Sequence, residues 1–334
     1  MQTALANNRQ ARRRIHIRPN LTIMKGTIAD LKFVRYGDMV VPIIMGKERK
    51  RIVNHILPQG LNDYVNNLVT VNNNTESQTI PISGWGSSPG NSIQLLNNGS
   101  TVQTLTATVI PVLNGSTVIW VFIANDLSSA SYTANQVNLF VSVNYTTNYG
   151  PTLGGTVQYS PAFNLATATT SIVKQSGETI SFIWEIQLNL GSSALTDFIL
   201  GILYSIPVIK TSCSGSTASL GIFGGVYGVQ YTNPYYFSSI TLQYVGGSSS
   251  GNISSITTSY DGTNTYLVMS ASISLSSQVT ATSIIVNVSP PGTNHFCING
   301  AQVTSGSVIQ IPYNATLPAS TITVTVTIEF SPAT

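Results

Sequence analysis

The sequence predicts an all-β protein: two tandem eight-stranded antiparallel sandwiches, jelly-roll or Ig-like, that follow a basic N-terminal arm with short helices. Three observations predict it. The first is composition. The 334 residues include only 14 basic and 11 acidic side chains, against 41 Ser, 39 Thr and 28 Asn. Soluble proteins run about a quarter charged. Coiled coils, helical bundles and acidic disordered tails all need far more Glu, Lys and Arg than this, whereas Val, Ile and Thr suit pleated strands with hydroxyl surfaces. The second is period. In 179–190, Ile180, Phe182, Trp184, Ile186, Leu188 and Leu190 point one way and Ser181, Glu185, Gln187 and Asn189 the other, which is strand spacing. The third is polarity. Residues 1–51 hold 12 of the 14 basic residues and a net charge of +9, while residues 52–334 carry −6, and Ser plus Thr rise from 3 to 77 across the same boundary. Charge asymmetry of this kind marks a basic end that meets something anionic.

Residues 1–79 read as a basic arm and adaptor. Within 1–19, Arg14, His16 and Arg18 alternate with Ile15 and Ile17, a spacing that lets a flexible arm add to a partner's sheet edge. From 47 to 57, Ile52, Val53 and Ile56 fall on one face of a short helix whose first turn carries Lys47, Arg49, Lys50 and Arg51. Cations there oppose the helix dipole, which suggests that they serve an external contact. Pro58 and Gly60 break the chain, Leu61, Tyr64, Val65 and Leu68 space a second short helix, and Asn72, Asn73, Asn74 and Thr75 form a linker.

Residues 80–211 supply eight candidate strands, including 101–111, 117–124, 136–146, 179–190 and 198–209, and residues 212–334 supply eight more. The last, 321–330, alternates Ile322, Val324, Val326, Ile328 and Phe330 with threonines and Glu329. Each strand is expected to bury one face and wet the other. Gly115, Gly177 and Gly262 each precede an apolar strand and a Ser-Ser pair, at Ser128-Ser129, Ser192-Ser193 and Ser276-Ser277. Duplication and the convergence of any Ser/Thr/Gly-rich β protein explain this echo equally well, and its uneven spacing does not fit a solenoid or propeller.

Catalytic motifs are sparse. Gly86-Ser87-Ser88-Pro89-Gly90 matches a nucleophile elbow by letters, but Pro89 has no N–H for the oxyanion hole and no helix follows. A glycosidase needs a pair of carboxylates, and residues 52–334 offer only Asp63, Glu76, Asp126, Glu178, Glu185, Asp197, Asp261 and Glu329, several of them beside turn residues. His16, His55 and His295 are scattered, and no metal site or cofactor is expected. Trp120 and Trp184 lie in apolar strands and read as core. Cys213 and Cys297 could form one disulfide. Eight Asn-x-Ser/Thr acceptors occur, about the number that chance gives for this composition. No apolar run reaches the roughly 18 residues of a membrane span, and the arginines of the N-terminus lead into Ile15 to Asn20 rather than the apolar segment of a signal peptide.

The candidate contact residues are therefore Arg9, Arg12, Arg13, Arg14, Arg18, Lys47, Arg49, Lys50 and Arg51. Phosphates of a packaged genome, anionic membrane headgroups and acidic faces of neighbouring subunits would each attract them. Residues 9–18 are assigned to genome or membrane, and the patterned residues 20–57 to neighbouring subunits. A basic arm, an adaptor and serial β-sandwiches of Ser, Thr, Asn, Ile, Val and Tyr resemble viral capsid and vertex proteins, among them the turret and jelly-roll capsid proteins of archaeal icosahedral viruses such as Sulfolobus turreted icosahedral virus. That resemblance implies a non-enzymatic virion subunit. It would be made in the host cytoplasm, anchored through its basic end to copies of itself and other capsid subunits, and exposed on the particle surface, where the second sandwich could meet a host receptor. The alternatives are a cell-surface adhesin or filament subunit joined by strand exchange and, third, a carbohydrate-active enzyme.

Overall fold

The computed structural model describes residues 8–36, 39–73, 91–114, 117–141, 144–147, 156–159, 162–189, 209–210, 236–289, 295–298, 301–303 and 306–332. It opens on a 19-residue strand, β1 (Asn8–Gly26). Ala11, Ile15, Ile17, Leu21 and Ile23 alternate on its inner face, all buried. The expectation of a flexible arm is corrected here: the strand period of Ile15 and Ile17 was sound, but the sheet it joins is the chain's own.

A single 3-10 turn (Ile28–Asp30) leads into the hairpin β2 (Leu31–Tyr36) and β3 (Met39–Ile44), followed by β4 (Glu48–Ile52), β5 (Asn54–Ile56) and α1 (Pro58–Asn73). The helix expected over 47–57 is thus two strands. β4 pairs antiparallel with β1, Ile52 opposite Leu21 and Arg49 opposite Met24. Burial alternates along 51–56, with Ile52, Asn54 and Ile56 inside and Arg51, Val53 and His55 outside. A period of two satisfies the ladder and the core at once, and removes the clash of four cations with a helix dipole. The second helix does form. Pro58 occupies its first turn, where a missing N–H costs nothing, and Leu61 and Val65 are buried. It packs against β13, β17 and β18, defined below, and so touches both halves of the chain.

The first half then runs β6 (Ser92–Asn97), β7 (Ser100–Thr106), β8 (Thr108–Asn114), β9 (Thr117–Asp126), β10 (Tyr132–Val141), β11 (Asn144–Thr147), β12 (Thr156–Tyr159), β13 (Phe163–Lys174) and β14 (Thr179–Asn189). The second half has β15 (Ile209–Lys210), β16 (Tyr236–Tyr244), β17 (Gly247–Tyr260), β18 (Thr265–Ser274), β19 (Val279–Ser289), β20 (His295–Ile298), β21 (Ala301–Val303), β22 (Gly306–Leu317) and β23 (Thr321–Pro332). The β6–β7 turn is Asn98-Gly99, with φ of +51° and +81°. Paired left-handed residues match the strand twist, and Asn-Gly is the pair that adopts them most easily.

One long sheet runs β22-β19-β16-β17-β18-β23-β1-β14-β9-β8, with β4 also on β1, and a second runs β5-β13-β10-β6-β7. β1 is the seam of the first. Its residues 8–17 pair in parallel with 323–332 of β23, and its residues 17–26 pair antiparallel with 179–188 of β14. At the far end of the path β22 returns against β1, so the C-terminal strands curl on themselves. One apolar cluster runs through both halves, and includes Trp120, Phe122, Phe182 and Trp184 in the first and Leu267, Met269, Val326 and Phe330 in the second.

A second cluster lies on the outer face. Met24, Ile110, Val121, Ile123 and Ile183 are covered there by Val41 and Ile43 of the β2–β3 hairpin. Ser181 Oγ accepts the Ile44 N–H at 2.7 Å, and Asn125 Nδ2 donates to the Pro42 carbonyl at 2.8 Å. The first turns of β14 are therefore buried on both faces. This corrects the one-sided burial expected for that strand, because a segment distant in sequence supplies the second cover.

Candidate interaction surface

The alternation of β1 sorts the basic residues. Arg12, Arg14, His16 and Arg18 face outward and exposed, while Arg9 and Arg13 alternate to the inner side and are half-buried. On β4, Arg49 and Arg51 lie opposite Met24 and Thr22 and so share the outer face of Arg18, whereas Lys50 lies opposite Ile23 and turns inward to donate to Thr170 Oγ1 at 3.0 Å. Eight of the nine residues grouped by sequence thus divide between two sides of a sheet, and Lys47 precedes β4.

They divide again by what they touch. The parallel register puts Arg14 beside Glu329. Arg12 Nη2 lies 2.6 Å from Glu329 Oε2 and Arg14 Nε 2.9 Å from Oε1, to which Ser331 Oγ also donates at 3.0 Å. The carboxylate is almost fully buried beneath two half-exposed guanidinium groups. Burial alone would raise its pKa; hydrogen bonds from Arg14 and Ser331 and the charges of both arginines outweigh that and hold it below the usual range. The Arg12 guanidinium also lies 5.3 Å from the Tyr266 ring centroid, and the Tyr266 hydroxyl donates to Asp261 at 2.5 Å. Lys25 pairs with Glu178 at 2.8 Å, and Asn20 Nδ2 donates to Glu185 Oε2 at 2.9 Å. By contrast, Arg18, Lys47, Arg49 and Arg51 are exposed and make no ion pair among the described residues.

Sequence reasoning missed a second polar centre. Lys174 and Asp126, both fully buried, lie 3.8 Å apart. Lys174 Nζ donates to the carbonyls of Ser128 and Ala130 at 2.5 and 2.8 Å. Asp126 accepts from the Ser128 N–H and Oγ and from the Tyr132 hydroxyl, at 3.0, 2.6 and 2.8 Å. Burial would raise the Asp126 pKa, but these hydrogen bonds and Lys174 hold it down, while burial and the carboxylate push the Tyr132 phenol up. Lys174, the last residue of β13, thus donates to two carbonyls of the connection between β9 and β10 and pins that loop to the end of β13. Lys174 is one of only two lysines after residue 51, and that isolation was the available signal.

Of the other sequence candidates, Trp120 and Trp184 are core, with Trp184 Nε1 donating to Asn54 Oδ1 at 3.2 Å. His16 and His55 are exposed, and no group of three His, Cys, Asp or Glu side chains among the described residues could hold a metal ion. Asp197, the Gly86 to Gly90 loop and Cys213 lie outside the described residues, and with them the Cys213–Cys297 disulfide. No described helix is long and apolar enough to cross a membrane. No protein-family model matches the chain, and comparison with curated proteins and with solved structures finds no match.

Proposed function

We propose that this chain is a structural subunit of a virion, of the vertex or capsid kind, docked through the outer face of β1 and β4 and presenting its C-terminal sheet to solvent. The observation that carries the reading is the segregation of charge. Four exposed cations that make no ion pair among the described residues, Arg18, Lys47, Arg49 and Arg51, sit on and beside one side of the sheet, whereas residues 236–332 contain only two charged side chains, Asp261 and Glu329. Such a stripe attracts an anionic partner over about a Debye length, and the neutral hydroxyl surface elsewhere does not compete for it. The docking element differs from the flexible arm that the sequence suggested: it is a rigid sheet face, with its arginines pre-spaced by the strand repeat.

The test is incorporation. Particles purified from producing cells are expected to contain the chain. Reversing the spare charges with Arg18→Glu, Arg49→Glu and Arg51→Glu should leave the fold intact, because all three are exposed, and reduce the particle-bound fraction at least tenfold. Unchanged incorporation of the triple variant, or absence of the chain from particles, would overturn the reading.

A further inference from the structure

We infer that the β2–β3 hairpin is a docking surface for an anionic lipid bilayer. The observation is the exposure of large apolar side chains on the hairpin and in the segments that flank it, among basic residues. Half of the ten large apolar side chains that stand exposed among the described residues fall within 28–53: Ile28 at 60 %, Phe33 at 72 %, Val40 at 59 %, Met45 at 49 % and Val53 at 80 %. The register explains why they are outside. Val34 and Val41, paired across the hairpin, pack down on the sheet, so the pairs Phe33–Pro42 and Arg35–Val40 must face away from it. Nothing in the fold's own requirements asks for Phe33 and Val40 there; Ser or Thr, which the chain uses freely elsewhere, would hold a strand as well.

Charge selects the occupant. Lys32 and Lys47 both lie near enough to Asp30 to help hold its carboxyl below the usual range, behind the larger effect of hydrogen bonds from Thr27, and at the hairpin's other end burial and the Glu185 charge raise the Tyr36 phenol against the opposing charge of Arg49. Cations therefore lie near both ends of the hairpin, and Arg35 stands on the face that carries Phe33 and Val40. Within 28–53 six basic residues face three acidic ones. Alternating aliphatic and aromatic tips with long basic side chains is the pattern of interfacial lipid binding, in which tips enter the headgroup boundary while Lys and Arg reach the phosphates. A nucleic acid would meet the same charges but offers no site for Ile28, Val40 or Met45, which cannot stack on bases. This inference rests on the docked orientation proposed above only in sharing Lys47 and Arg49; the exposed apolar side chains are independent of it.

The experiment is co-sedimentation of the purified full chain with vesicles of phosphatidylcholine alone or of equal parts phosphatidylcholine and phosphatidylserine. Binding is expected to the anionic vesicles, weakened by salt, and reduced at least tenfold in the double variant Phe33→Ser, Val40→Ser. Both sites are exposed, so the variant should keep its circular dichroism and melting curve. Phe33→Trp should retain binding, with tryptophan emission that shifts to the blue on adding anionic vesicles. Equal binding to both vesicle types, no loss in the double variant, no emission shift, or displacement of the vesicles by stoichiometric duplex RNA would overturn the inference, the last in favour of nucleic acid. Vesicle binding lost while particle incorporation persists leaves the virion reading standing; the reverse removes that reading and leaves this one.

Discussion

The outer surface of the long sheet is finished in two ways. Around β1, β23 and β18 it is ionic: Arg12 and Arg14 close over Glu329, and Tyr266 links this group to Asp261. Around β16, β17 and β19 it is a mosaic of neutral hydrogen bonds. Thr241 Oγ1 meets Ser250 Oγ at 2.6 Å, Asn287 Nδ2 donates to Ser239 and Thr241 at 3.2 and 2.8 Å, and Ser283 Oγ donates to Gln243 at 2.7 Å. Both finish the same kind of pleated face, but only the first titrates, and only the first is screened by salt. A chain that must keep most of its exterior indifferent to pH and ionic strength, while keeping one side responsive, would be built this way.

The largest effect is expected from losing the ionic strand. Deleting residues 1–17 removes Ala11, Ile15 and Ile17 from the core, leaves the β23 edge of ten register pairs open, and takes away the arginines over Glu329. Burying an Ile is worth roughly 2–5 kcal/mol against Ala, and whole domains are stable by about 5–15 kcal/mol. The expected outcome is loss of the cooperative thermal transition, the neutral face included. The single change Ile15→Ala should keep the transition and lower stability by about 2–5 kcal/mol in urea titration. A truncated chain that still melted cooperatively would return β1 to the status of an appendage.

That deletion is also where the sequence misleads, and the reason is physical. The periods of 179–190 and 321–330 were legible because each strand's apolar set lies on one face, and the structure places both as β14 and β23. The period of Ile15 and Ile17 was equally legible, but periodicity does not state the partner, and a parallel pairing across more than 300 residues of sequence leaves no local mark. The segment 47–57 failed differently. Ile52, Val53 and Ile56 satisfy a helical face, yet Ile52 and Ile56 also satisfy a strand, and the unpaired edge of β1 at Leu21–Lys25 decided for the strand. At the candidate surface, the identity of the basic residues was readable; which of them would be neutralised was not, since Glu329 meets Arg12 and Arg14 only through tertiary register.

Acid acts on the ionic finish and not on the neutral one. The Glu329 carboxyl is held below its ordinary 4.5 in the folded chain. A depressed pKa gives stability that is present above the unfolded value and is lost as pH falls through the folded one. Asp126, held below 3.8, acts in the same direction. Stability is therefore expected to decline as pH drops from about 4.5 downward. Glu329→Gln should cost about 1–2 kcal/mol at pH 7, after allowance for the half-exposed arginines, and flatten that decline. A variant whose acid profile matches the parent would show that the ion group contributes nothing.

The smallest effect is expected on the neutral face, and its size is less informative than its constancy. Thr241→Val keeps the branched shape that a strand favours and removes the hydroxyl shared by Ser250 and Asn287. The surviving partners remain solvent-accessible enough to bond to water, so the change should cost under about 1 kcal/mol. Because none of the three groups titrates, the same loss is expected at pH 7 and pH 3, and at low and high salt, as measured by urea midpoints. If the cost instead grows in acid or in salt, the hydroxyl mosaic is coupled to the arginine band, and the two finishes are one network rather than two.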